Sequence, residues 1–174
     1  LSAAIKLLKK KNKILTQSKY VKLFEKKWSK WLGVKYSIFV NSGSSANLLT
    51  MATLKILYAK RKREVILPTL TWVSDINSVI QNGFKPVFVD INPRNLCMSE
   101  AEIIKKVNKN TLAVFITHVQ GFNGLTSKLV SFLKKNKIIL IEDVSESHGA
   151  TFNKKKLGTF GKISNFSFYY AHHM

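Results

Sequence analysis

Several stretches of the chain carry side chains that could do chemistry. In Asn41–Asn47 (Asn-Ser-Gly-Ser-Ser-Ala-Asn) small hydroxyl residues stand between a strand-like and a helix-like segment. Gly43, Ser44 and Ser45 would there set hydroxyls and free backbone N–H groups at a helix N-terminus, where the dipole and unpaired donors favour a phosphate. An N-cap serine on an ordinary helix has the same appearance, and no Gly-Lys-Ser/Thr follows to make a nucleotide-binding P-loop. Trp72 follows an apolar segment in Pro-Thr-Leu-Thr-Trp, where a flat aromatic could stack on a planar ring or pack on a core. Asp143 lies at the end of another apolar run. A carboxylate buried there needs a positive partner such as a protonated pyridine nitrogen, or else loop amides or a lysine. Near the end stand His172 and His173, side chains that move protons near neutral pH.

Alternating apolar segments must position these groups. Val21, Phe24, Trp28, Trp31 and Leu32 recur at helical spacing and predict a helix closed by Gly33. Strands are predicted at Ser37–Val40, Glu64–Leu67, Pro86–Val89, Leu112–Ile116, Ile138–Ile141 and Ser164–Phe168. Between them helices are predicted at Ser45–Tyr58, Val73–Gln81, Glu100–Val107 and Ser127–Lys135. Ser99 with Glu102 has the form of a capping box. Strands alternating with helices imply an α/β layered domain with a largely parallel sheet, whose ligands gather at the carboxyl ends of the strands. The groups singled out above fall there. With no internal repeat or linker, residues 1–174 read as one domain.

Composition narrows the function less sharply. A chain of 174 residues with 45% hydrophobic content can bury a core. Its apolar runs are far shorter than the roughly 20 residues of a membrane span, so a soluble protein with no membrane partner is expected. The run Ala3–Leu15 is basic and weakly amphipathic but lacks the form of a signal peptide, and the chain reads as beginning mid-protein. A lone Cys97 excludes an intrachain disulfide and a cysteine metal cluster, and fits a reducing cytoplasm. The net charge of +20 raises nucleic acid as a partner, but nearly all of it is lysine, scattered along the chain, with arginine only at 61, 63 and 94. Solvated lysine faces and attraction of anionic substrates account for it better, so no nucleic acid is expected.

In order along the chain, Asn41–Asn47, Pro68–Trp72, Lys85–Asp90, Ile141–Ala150, Lys156–Gly161 and Asn165–Tyr169 resemble the motifs of the DegT/DnrJ/StrS family of sugar aminotransferases and their dehydratase relatives. The resemblance covers nearly the whole chain. It implies the three-layer large domain of the pyridoxal-phosphate transferase fold, here truncated before the small domain, and a homodimer when full length. It implies pyridoxal 5'-phosphate or pyridoxamine 5'-phosphate as cofactor and a nucleotide-linked keto-sugar as substrate, in deoxysugar and surface-polysaccharide synthesis. Gly43, Ser44, Ser45 and Ser167 then correspond to the phosphate cradle, Trp72 to the ring-stacking aromatic and Asp143 to the partner of the pyridine nitrogen. Glu146 stands where many members have Gln beside the ring oxygen.

A larger departure lies five residues after Ser167. Aminotransferases of the family place there the lysine that holds the cofactor covalently, and this chain has His172. Imidazole cannot form that link. The substitution resembles the GDP-4-keto-6-deoxymannose 3-dehydratase type, in which a histidine acts as base and the sugar's 3-hydroxyl leaves as water. An ordinary nucleotide-sugar aminotransferase is the alternative. A basic nucleic-acid-binding module or a non-catalytic fragment are further ones, and residues 1–174 alone are expected to be inactive. The His pair could also be structural. A two-histidine metal site is disfavoured because neighbours in an extended segment point to opposite faces.

Overall fold

The computed structural model describes residues 1–11, 14–58 and 63–173; Lys60, Arg61 and Lys62 of one basic cluster, Asn12 and Lys13 of the N-terminal run, and Met174 lie outside them. The chain divides into two compact units, Leu1–Phe39 and Val40–Met174.

The first unit holds α1 (Ser2–Leu8) and α2 (Lys19–Leu32). Ser18 caps α2 by accepting the Tyr20 N–H, and Gly33 ends it at φ 87°, the left-handed conformation that a residue lacking Cβ adopts without strain. The strand predicted at Ser37–Val40 does not form. The Phe39 N–H donates to Glu25 Oε1 at 2.9 Å and the Ser29 hydroxyl to Ser37 Oγ at 2.8 Å, so this segment is tied to α2 by side chains, with Ile38 81% exposed. An apolar run needs a ladder neighbour to become a strand, and here α2 takes up its polar groups instead.

The second unit is built on a five-stranded, fully parallel sheet in the order β2-β1-β3-β4-β7. Its strands are β1 (Glu64–Pro68), β2 (Lys85–Val89), β3 (Thr111–Thr117), β4 (Ile139–Asp143) and β7 (Ile163–Asn165). Helices α3 (Gly43–Tyr58) and α4 (Val73–Gln81) supply Met51, Leu54 and Val79 to one buried cluster, with Val65, Leu67, Phe115 and Ile141. Helices α5 (Glu100–Lys106) and α6 (Ser127–Lys135) supply Ile103, Leu129 and Leu133 to another, with Ile66, Val114, Ile116 and Leu140. Successive strand residues fall in opposite clusters, so the sheet is buried on both faces and the unit has three layers, as the strand–helix alternation predicts. The register slips between Glu64 and Val65 against β3, which puts Leu112 and Ala113 into the same cluster.

Several boundaries differ from those predicted. Helix α3 starts at Gly43 rather than Ser45, because Ser42 acts as the cap, its Oγ accepting the Ser45 N–H and its carbonyl the Ala46 N–H, both at 3.1 Å. Strand β4 runs on to Asp143, which is therefore its last residue. The final strand stops at Asn165; residues 166–169 leave the sheet and the chain turns into α7 (Tyr170–His173). The His pair thus sits in a helical turn, not in the extended segment assumed for it, and none of Tyr170, Ala171 or His172 is buried. A short hairpin of β5 (Thr151–Phe152) and β6 (Lys155–Lys156) was not anticipated.

Candidate functional site

The carboxyl edge of the sheet gathers most of the residues singled out in the sequence, and four hydrogen-bonding side chains bind its elements together. Asn47, one turn into α3, donates to Asp75 Oδ1 at 2.6 Å and accepts from Asn165 Nδ2 at 2.7 Å. Asn165 Oδ1 in turn accepts from Thr50 at 3.0 Å. All four are buried. Asn165 pairs with Asp143 across β4 and β7, and stands two residues before Ser167. The N-terminus of α3, the end of β4 and the Ser167 segment are therefore held in one network rather than on independent loops.

On that framework Gly43 and Ser44 are exposed in the first turn of α3, where backbone N–H groups have no intrahelical acceptor. The space beside Gly43 is open: a Cβ there would meet no heavy atom within 4 Å. Ser45 shares a hydroxyl contact of 3.1 Å with Ser42. Ser167 accepts the Tyr169 N–H at 3.1 Å, which leaves its own hydroxyl proton to donate. Trp72 precedes α4 and is 71% exposed, so the core does not use its ring. Packing, the plain explanation for a tryptophan after a strand, does not account for it.

Asp143 is buried, and Oδ1 accepts the Ser145 N–H at 2.8 Å. Its neighbour Asp75, from the first turn of α4, is 1% exposed and contacts Thr71 Oγ1, Thr117 Oγ1 and the Asp143 carboxyl. Burial first, and then the Asp143 charge, push the Asp75 carboxyl up to about 8. Glu146 is half-buried, and its Oε2 accepts the Gln120 N–H at 2.8 Å. Gln120 has left-handed backbone, φ 50°, an uncommon conformation for a residue with Cβ, and Glu146 helps hold it.

His172 lies five residues past Ser167 on α7. Its ring meets Tyr169 edge-on with centroids 5.4 Å apart, and its Nδ1 is buried without a hydrogen-bond partner among the described residues. An orphaned buried ring nitrogen is costly and marks a group waiting for a partner. An exposed aromatic ring, an open helix N-terminus, a buried carboxylate and an imidazole with an orphaned nitrogen are, taken one by one, the kinds of group that suit a planar, phosphorylated, nitrogen-heteroaromatic cofactor. Among the described residues no cluster of three or more His, Cys, Asp or Glu could hold a metal, and no helix is long and apolar enough to cross a membrane.

The sequence reading missed a second network beneath this site. Glu142 is wholly buried and accepts from Gly158 N at 2.8 Å, Phe160 N at 2.9 Å and Gly161 N at 2.6 Å. Its fourth contact, at 3.1 Å, is His118 Nε2. His118 Nδ1 accepts the Gly124 N–H at 3.1 Å, which assigns the proton to Nε2 and makes it the donor to Glu142. The motif Lys156–Gly161 is thus folded around one carboxylate. Gly158 in it has φ 87°, and a Cβ there would come within 2.4 Å of Phe166 Cζ. Glu142→Ala would strand those donors, so a loss of about 3–5 kcal/mol in urea unfolding is expected; a change below about 1 kcal/mol would show that water replaces the carboxylate.

The DegT/DnrJ/EryC1/StrS aminotransferase family matches residues 2–174. A GDP-perosamine synthase of Vibrio cholerae is 36% identical over 156 residues, 90% of this chain and 42% of its own. A GDP-4-keto-6-deoxy-D-mannose 3-dehydratase of Escherichia coli is 35% identical over 168 residues, 94% of this chain and 43% of its own. A solved structure of an E. coli GDP-4-keto-6-deoxy-D-mannose-3-dehydratase with bound hydrated PLP superimposes with a TM-score of 0.86 at 35% identity, over 91% of this chain and 42% of that one. The chain therefore spans less than half the length of these relatives.

Proposed function

Because the chain belongs to the DegT/DnrJ/EryC1/StrS aminotransferase family, we propose that it forms the cofactor-holding domain of a cytoplasmic, homodimeric enzyme that removes the 3-hydroxyl of a nucleotide-linked 4-keto-6-deoxysugar. The observation that carries the reading is the buried Nδ1 of His172, without a hydrogen-bond partner among the described residues, at the position that the resemblance gives to the lysine of the family's aminotransferases. Exposed apolar residues on α3, Leu48, Leu49, Ile56 and Leu57, support coverage of that helix by a second copy.

The cofactor, when bound in its pyridoxamine phosphate form, would supply an amine for the sugar's keto carbon and a ring that accepts electrons. The residues of this chain do the rest. Gly43, Ser44, Ser45 and Ser167 would hold the phosphate by N–H and O–H donors, and Trp72 would cover one face of the ring and keep water from it. Asp143, as a carboxylate, would accept a hydrogen bond from the protonated ring nitrogen and keep the proton there. Glu146, with Oε2 already engaged by Gln120, would turn its other oxygen toward the ring's hydroxyl. His172 would take a proton at one ring nitrogen and later deliver it to the departing hydroxyl, the two halves of general acid–base catalysis.

The similarity to GDP-perosamine synthase favours a second reading, a nucleotide-sugar aminotransferase. Borohydride separates the two. After free pyridoxal phosphate is removed, borohydride treatment of the full-length holoprotein is expected to leave no stoichiometric cofactor adduct on a single lysine, as read by peptide mass mapping. A covalent adduct on a lysine would return the chain to the aminotransferases.

A further inference from the structure

The Asp75 carboxyl has no task in the reaction as described, yet it is among the most buried polar groups of the unit. It approaches Asp143, and the side chains around it come from every element packed there. Asn47 reaches it from α3, Thr71 from the loop after β1 and Thr117 from β3. Thr117 is also the register partner of Asp143 across β3 and β4. Among these neighbours only Asp143 can carry a charge, and among the described residues no cation is one of the groups that act on Asp75. Two carboxylates that close, buried and without a counter-charge repel too strongly for both to be ionised. One proton must stay with the pair.

We propose that Asp75 is a positioning residue: it carries the shared proton, donates it as a hydrogen bond to Asp143, and so fixes Asp143 as the single negative charge offered to the ring nitrogen of the cofactor. The second half rests on the function proposed above; the first does not. Asn47, donating to Asp75 Oδ1, and the Thr71–Thr117 pair, with hydroxyls 2.7 Å apart, orient the acid. Its carboxyl, pushed up to about 8 by burial and by the Asp143 charge, keeps the proton at neutral pH.

The unfolded chain loses the Asp75 proton near the ordinary value of 3.8, the folded chain only near 8. Between those values the unfolded state binds fewer protons, so this group's contribution to stability is full below the window, falls as pH rises through it, and is flat above. Asp75→Asn keeps a neutral group of the same shape and removes that slope.

The test is carbon-13 NMR of labelled aspartate carboxyls in the cofactor-free, full-length protein, followed by titration with pyridoxal phosphate. One carboxyl resonance titrating near pH 8, absent from Asp75→Asn, is the expected result. Every aspartate ionised by about pH 6 in the unaltered protein would overturn the shared proton, and needs no variant to fold. For cofactor binding, Asp75→Asn is expected to keep the Kd within about threefold and Asp75→Ala to weaken it at least about tenfold. Equal Kd values for the Ala variant and the unaltered protein would remove the positioning role. A titrating carboxyl in a protein that binds no pyridoxal phosphate would uphold the pair and sink the proposed function.

Discussion

Replacing His172 by Asn is expected to slow 3-dehydration by about 10²–10⁴-fold, the range a positioned general acid–base contributes, while cofactor binding is retained. Asn preserves much of the ring's shape and its hydrogen-bonding edge but cannot move a proton near neutral pH, so the variant isolates proton transfer from packing. The measurement is release of the 3-deoxysugar by the full-length protein, with pyridoxal phosphate affinity followed in parallel. Undiminished dehydration would make His172 structural and pass the proton to another group such as Glu146 or His173. His172→Lys supplies the complementary experiment. An amine at that position is expected to gain a borohydride-fixable link to the cofactor and to lose dehydration, because the group that should carry protons is then occupied in holding the ring.

Asp143→Asn is expected to cost about 10²–10³-fold in turnover, comparable with removing one preorganised electrostatic contact from a water-excluded site. Asn can offer the ring nitrogen an oxygen but not a negative charge, so the nitrogen loses its reason to stay protonated. Packing is little altered by the exchange, and Ser145 N–H can still be accepted by an amide oxygen. The expected signature is therefore lost turnover with the fold retained. An Asn variant of full activity would remove Asp143 from the site.

The layered fold was legible because each central strand is a short apolar run with punctuation on both sides, and because helices such as α5 announce their start, with Ser99 accepting the Glu102 N–H. Ser37–Val40 carries the same apolar signal and failed, since sequence does not show whether a ladder neighbour exists. The chemistry-bearing loops were legible through their order along the chain. Glu142 was not, although it adjoins Asp143: adjacent strand residues face opposite ways, and only the fold shows that one carboxylate collects three loop amides and a histidine while the other faces Asp75. Asp75 belongs to no motif. Its place is set by α4, which brings it to the ends of β3 and β4.

Helix α7 is a single turn hung beyond the last strand, and its described side chains contribute nothing to either buried cluster. Position 172 is thus decoupled from the folding of the unit, whereas the Glu142 and Asn47 networks are not. If His172 has the role proposed for it, a lineage can exchange imidazole for amine there, and with it the bond that is broken in the substrate, without first acquiring compensating changes elsewhere. On that proposed role, selection on this scaffold could cross between dehydration and transamination by one inherited replacement, and a dehydratase and an aminotransferase that share these networks need not be distant cousins.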